Sequence, residues 1–165
     1  MGGLFIESNP DDFNDFGALH ALISDAFAFM EGRIDPPSSI LTMRPEDLRA
    51  KARDEDLFLI RHQGRPVACV FGAARGPVYG ISKLAVAPAM RRIGLARALL
   101  DHAAMIAKSG GHQVLVLQTR VELVENHATF LRLGFQQTAE TAHPGYRRPT
   151  SLTFQRAVEA SGPFP

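Results

Sequence analysis

A strand, a helix and a second strand follow one another between Val78 and Thr119, and no other stretch restricts the possible folds as much. Val78–Val86 reads as a strand that Pro88 closes, because proline cannot donate to a sheet ladder. From Gly94 onward, Leu95, Leu99, His102 and Ile106 recur at helical spacing until Ser109-Gly110-Gly111 stops the helix. Val114-Leu115-Val116-Leu117 is short and continuously apolar, as expected of a strand buried on both faces. A helical crossover joins parallel strands, so the chain is expected to be an α/β protein.

The flanking segments fit around that unit. Gly3–Ser8 reads as a first strand, and Asn9-Pro10-Asp11-Asp12 as the cap and first turn of a helix. Its apolar stripe is Phe13, Phe16, His20, Ile23, Phe27 and Met30, widened by Leu19, Leu22 and Phe29. Gly32–Ser39, with Pro36-Pro37, ends that helix, and a shorter one starts near Pro45. Leu57–His62 and Val67–Ala74 form a hairpin across Gln63-Gly64-Arg65-Pro66. A last helix runs from about Leu123 to Leu133, followed by strands near Phe135–Thr141 and Thr150–Ala157. The whole chain, 1–165, is expected to be one domain with a core over 3–158 and a frayed tail over 159–165.

Composition removes several classes of function. Eighteen basic side chains, 15 of them Arg, stand against 17 acidic ones and leave a formal charge of +1. No long-range field would draw such a molecule to a polyanion, the arginines are scattered, and no base-stacking aromatic cluster accompanies them, so nucleic acid is not an expected partner. The longest aliphatic run is Val114–Leu117, far below the roughly 20 residues that span a bilayer. The first residues lack a basic start and an apolar stretch, and a cytoplasmic location is the expectation. One cysteine, Cys69, offers neither an internal disulfide nor zinc-ligand spacing, and no metal is expected. In Val67-Ala68-Cys69-Val70-Phe71 it reads as a buried thiol, and His20 and His102 as hydrogen-bonded core or boundary histidines.

The chemistry concentrates in Arg91-Arg92-Ile93-Gly94-Leu95-Ala96, at the start of the crossover helix. A helix N-terminus offers unpaired N–H groups and partial positive charge, two arginines add donors, and Gly94 and Ala96 leave the approach uncrowded, which suits a diphosphate. The same hexapeptide can equally be a solvated basic turn with glycine chosen for its backbone.

These residues resemble the Arg/Gln-x-x-Gly-x-Gly/Ala pattern of the GNAT superfamily of acyl-CoA-dependent N-acetyltransferases. Lys83-Leu84-Ala85-Val86-Ala87-Pro88 looks like that family's fourth strand, and Glu125–Phe135 is similar to its fourth helix and the Gly-Phe after it. The resemblance implies a GNAT fold: a mixed sheet of six to seven strands with about four helices, the fourth and fifth strands splayed. It further implies acetyl-CoA as co-substrate. Arg91, Arg92, Ile93, Gly94, Leu95 and Ala96 would hold its pyrophosphate, Leu84, Ala85 and Val86 its pantetheine through main-chain atoms, and Asn126 and Phe130 would lie beside it. The partner would be a small-molecule or peptide amine, and homodimers are common in the family.

Two departures matter. Many members carry a tyrosine four residues before the glycine of the Gly-Phe pair, positioned to protonate the leaving thiolate, and Phe130 stands there. Val78–Val86 also lacks the glutamate or histidine that serves some members as base. Glu122, just past the buried strand, is the candidate base, the other reading being a carboxylate favoured by a helix N-terminus. His143, Tyr146 and Arg147 occupy a turn that in the family overhangs the acceptor, and Arg33, with Asp35 and Ser38, is a further acceptor-side candidate. Ordinary hairpin chemistry around Pro144-Gly145 is the alternative for that turn. A non-catalytic acyl-CoA-binding sensor or interaction module is the alternative to an enzyme.

Overall fold

The computed structural model describes residues 3–160. Seven strands hydrogen-bond in the order β1-β2-β3-β4-β5-β7-β6. They are β1 Ile6–Ser8, β2 Asp56–His62, β3 Arg65–Arg75, β4 Val78–Val86, β5 Val114–Arg120, β6 Gln136–Thr141 and β7 Ser151–Ala157. Four α-helices accompany them: α1 Phe16–Phe27, α2 Pro45–Asp54, α3 Leu95–Ser109 and α4 Val124–Arg132. None is long and apolar enough to cross a membrane. The residues gather into two compact units. One holds residues 3–28, Ser39–Ala73 and Ile81–Ala103, the other Phe29–Ser38, Ala74–Gly80 and residues 104–160.

In the first unit β1 and β3 pair antiparallel with β2. Four successive residues of β2, Leu57 to Ile60, are buried. Side chains alternate along a strand, so both of its faces are covered. Leu57 and Leu59 join Leu19, Ile23, Leu48 and Phe71 in one apolar cluster. Leu19 and Ile23 are fully buried, each gaining about 1.5–3 kcal/mol from leaving water. Phe58 meets the His102 ring edge-on at 5.0 Å, and His102 Nε2 is hydrogen-bonded to Ser8 Oγ at 2.8 Å. His20 Nε2 donates to the Met43 carbonyl at 2.8 Å, so both histidines are the hydrogen-bonded boundary residues expected.

The first helix begins later than its sequence suggests. Asn9 has φ +49° and spends its side chain on β2, accepting from the Leu57 amide at 2.8 Å and donating to Asp56 at 3.0 Å. It therefore cannot cap α1. Asp15 does so, its Oδ1 accepting from the Ala18 amide at 2.9 Å, a bond worth about 1 kcal/mol. Phe13 is buried ahead of the helix, whereas Phe29 falls in a 3-10 turn after it and stays exposed.

In the second unit β4 starts parallel to β5, with Val78, Tyr79 and Gly80 opposite Val114, Leu115 and Val116. β4 continues past that ladder to Val86 and β5 to Arg120. β7 pairs antiparallel with β5 over its full length and with β6 on its other side. β5 is covered on one face: Leu115, Leu117 and Thr119 are buried, while Val114 and Val116 are half-buried and Gln118 is exposed. The expectation of burial on both faces is corrected accordingly. All six residues of β6 are exposed, and its register shifts between Gln137 and Ala139. Val158–Ala160 forms a 3-10 turn where the expected tail begins; 161–165 lie outside the described residues.

Candidate functional site

The turn between β4 and α3 carries the residues that the sequence singles out for a diphosphate. Pro88–Met90 makes one 3-10 turn, Arg91 is extended, and Arg92 and Gly94 adopt left-handed conformations with φ +67° and +86°. The Gly94 carbonyl accepts from the Ala98 amide at 3.0 Å, which makes Gly94 the cap of α3. Amides of the first turn then have no acceptor within the helix, and the macrodipole adds partial positive charge. A Cβ on Gly94 would meet no atom within 4 Å, so the space above the cap is open. Arg91, Arg92 and Ile93 are exposed, Ala96 is half-buried and Leu95 is buried. Neither Arg91 nor Arg92 has a carboxylate partner among the described residues. An open cradle of amides beside two uncommitted guanidinium groups has the donor set and charge that a diphosphate requires.

On the strand leading into this turn, Ala85 is buried and Leu84 and Val86 are half-buried. Lys83 interrupts the strand with φ +55°, and its carbonyl accepts from the Cys69 thiol at 3.4 Å. Burial pushes that thiol up to about 12.

The second unit carries a network of charged groups around the loop before Ser39. Arg33 meets Glu125 in two bonds of 2.5 and 2.9 Å, Nη1 to Oε2 and Nη2 to Oε1. The pairing holds the Glu125 carboxyl down at about 2 and raises the Arg33 guanidinium. Tyr146 donates its hydroxyl to Asp35 Oδ1 at 2.7 Å, which raises the phenol. Arg148 Nη2 reaches Asp35 Oδ2 at 3.3 Å, and its guanidinium lies 5.4 Å from the Tyr146 ring centre. Arg120 donates from Nη1 and Nη2 to the carbonyls of Pro36 and Pro37, at 2.5 and 3.1 Å. Four side chains thus fasten residues 33–37 to β5, α4 and the segment between β6 and β7.

Glu122 sits within this network. Its Oε2 is 3.9 Å from Arg148 Nη1, beyond hydrogen-bond length, and its Oε1 is buried without a hydrogen-bond partner among the described residues. Leaving a buried acceptor unpaired costs about 1–3 kcal/mol. The acidic residue in the first turn of α4 is Glu125, while Glu122 precedes the Leu123 cap. The helix-terminus role therefore falls to Glu125.

The remaining acceptor-side candidates divide. His143–Tyr146 is a turn closed by the Tyr146 amide on the His143 carbonyl at 3.0 Å, with Gly145 at φ +87°. His143 is half-buried and bonded through its amide and Nδ1 to Thr150 Oγ1, so the ordinary turn chemistry is present in this segment. Arg147 is exposed and takes no side-chain partner among the described residues, whereas its neighbour Arg148, absent from the sequence candidates, joins the network. Arg120 was equally absent. Asn126 is half-buried, its amide donating to Leu123 O at 2.9 Å. Phe130 packs 5.9 Å from Phe135 and 6.1 Å from Phe154, and α4 presents no hydroxyl at that position.

Residues 18–135 match the model of the acetyltransferase (GNAT) family. The chain belongs to the GNAT acetyltransferase family. Solved structures show the same fold at low identity. The ribosomal-protein-S18-alanine N-acetyltransferase of Escherichia coli is 21% identical, with 97% of each chain covered and a TM-score of 0.70. PaiA N-acetyltransferase of Thermoplasma acidophilum, in complex with coenzyme A, is 12% identical over 94% of this chain and 99% of its own, with a TM-score of 0.75. A GNAT acetyltransferase of Elizabethkingia anophelis with acetyl-CoA bound is 15% identical over 93% and 97%, with a TM-score of 0.66. No curated protein sequence matches this GNAT chain significantly. The expected fold class holds, with seven strands, four helices and β4 parallel to β5.

Proposed function

We propose that this GNAT protein is an N-acetyltransferase that transfers the acetyl group of acetyl-CoA to a primary amine. The observation that carries this is the β4–α3 turn, where Arg91, Arg92 and the open Gly94 cap offer uncommitted donors to a diphosphate. When bound, acetyl-CoA supplies an activated acyl group as a thioester. Arg91 and Arg92 contribute charge, the amides of Ile93 to Ala96 contribute directed donors, and Leu84 and Val86 offer main-chain groups to the pantetheine arm. Asn126 and Phe130 would complete the pantetheine side. Arg33, His143, Tyr146 and Arg147 belong to the acceptor side, with Asp35, Arg120 and Arg148 added by the network. The acceptor is a small-molecule or peptide amine, the compartment the cytoplasm.

Transfer replaces a C–S bond by a C–N bond, and the nitrogen must be neutral to attack. At pH 7 deprotonating a lysine-like amine costs about 4–5 kcal/mol and an α-amine about 1 kcal/mol. Glu122 is the carboxylate available to take that proton. A CoA-binding module without turnover is the second reading, favoured by the missing hydroxyl at Phe130. Calorimetry with CoA and free-thiol release from acetyl-CoA with a panel of amines separate the two. Acceptor-dependent thiol supports the enzyme; tight binding with none supports the module; no binding refutes both.

A further inference from the structure

Helix α4 has nine residues, and five of them, Val124, Glu125, Ala128, Leu131 and Arg132, are exposed. With about 3.6 residues per turn these five share one side of the helix, Val124, Ala128 and Leu131 as an apolar stripe with Glu125 and Arg132 as a charged flank beside it. The core-facing side is a different one: Phe130 packs there on Phe135 and Phe154. Val124 and Leu131, at 66% and 56% exposure, therefore form a second apolar stripe that the fold itself does not cover. Phe29, also exposed, adjoins it, for its ring lies 5.7 Å from the guanidinium of Arg33, which pairs with Glu125.

We infer that this side of α4 joins two copies of the chain, the helices antiparallel about a two-fold axis at Ala128. The sequence of the face is complementary to itself under that axis. Val124 stands four residues before Ala128 and Leu131 three after it, so each Val124 meets the partner's Leu131. Glu125 stands three before and Arg132 four after, on the same flank, so each Glu125 meets the partner's Arg132, and opposite charges face each other twice. Ala128 on the axis lets the helices approach to about 8 Å. A parallel pair would instead set Glu125 against the partner's Glu125. Arg33 takes one bond from each Glu125 oxygen, and a carboxylate accepts about four, so the partner's Arg132 adds to Arg33 without displacing it. One short helix face is smaller than the roughly 800 Å² per partner of a standard interface, so the dimer is weak and forms at micromolar concentration.

The test is sedimentation equilibrium of the full chain, without CoA, from about 5 to 500 µM, where a monomer–dimer equilibrium is expected. E125R and R132E each set like charges across both pairs and should raise the dimer Kd about 10- to 100-fold, whereas E125R/R132E restores opposite charges and should bring it back. A128D, which places two carboxylates on the axis, should abolish the dimer. A128C should form a disulfide-linked dimer on mild oxidation, while M105C, equally exposed but on α3, should not; the native Cys69 is buried and stays silent in both. The cysteine variants add no charge, so they decide the matter even where a charged variant fails to fold. A monomer throughout the range, a Kd unmoved by A128D and both single swaps, no recovery in the double swap, or A128C cross-linking no faster than M105C would overturn the α4 pairing.

Discussion

Replacing Gly94 with alanine separates backbone strain from ligand space, because the structure assigns each a different size. Gly94 has φ +86°, and an added Cβ meets nothing within 4 Å. The fold therefore loses only the left-handed preference, about 1 kcal/mol, which lowers Tm by about 2–4 °C in a chain of this size. Gly64 is a matched control: φ is +79°, its Cβ space is equally open, and it lies in the β2–β3 hairpin. G64A and G94A should lose the same stability. They should differ in binding, since the methyl group at Gly94 stands where a phosphate would approach the amides of α3. Displacing one charge-assisted bond costs about 1.5–3 kcal/mol, so Kd for CoA should rise about 10- to 150-fold in G94A and stay unchanged in G64A. G94D, which adds negative charge to the same bulk, should bind more weakly still. Differential scanning calorimetry and titration calorimetry on the purified variants give both quantities. Equal Tm losses with unaltered CoA affinity in G94A and G94D would refute the cradle.

R91A/R92A should weaken CoA binding and flatten its dependence on ionic strength, since exposed guanidinium groups act on an anion through a salt-screened field; isothermal titrations between low and high salt check this. Glu125 is held at about 2 against an ordinary 4.5, so its pairing with Arg33 adds stability above that ordinary value and loses it as pH falls toward 2. E125Q should therefore unfold at lower denaturant than the wild type at neutral pH, and the two curves should converge below pH 2. Cys69 is fully buried and its thiol pushed up to about 12, so Ellman's reagent at pH 8 should label it only after unfolding, measured as absorbance with and without denaturant.

Elements whose signals are local were legible in the sequence. β4 and α3 lie where Pro88, the Leu95–Leu99–Ile106 spacing and Ser109-Gly110 put them. The cap of α1 was not, because Asn9 is claimed by Asp56 and Leu57, nearly fifty residues away. The same contrast divides the site. The β4–α3 turn is one contiguous hexapeptide and could be read from its residue types. The charged network around residues 33–37 joins Asp35 to Tyr146 and Arg148 across more than a hundred residues. Nothing local distinguishes Arg148, which pairs, from Arg147, which does not. The two stand side by side in a bend between β6 and β7, so only the folded chain tells them apart.

Strand β6 ends the sheet, and its sequence, Gln136-Gln137-Thr138-Ala139-Glu140-Thr141, is exposed at every position. An edge strand is a template on which another chain can add a strand, and flat apolar edges are where aggregates begin. Here the edge is polar, carries the charge of Glu140, and changes register between Gln137 and Ala139. A second chain approaching it would find neither an uninterrupted row of hydrogen-bonding groups nor apolar side chains to cover. Misassembly through this border is discouraged by the shape and chemistry of six residues, and substitutions that straighten or grease it, such as Glu140→Val, should lower solubility before they alter activity.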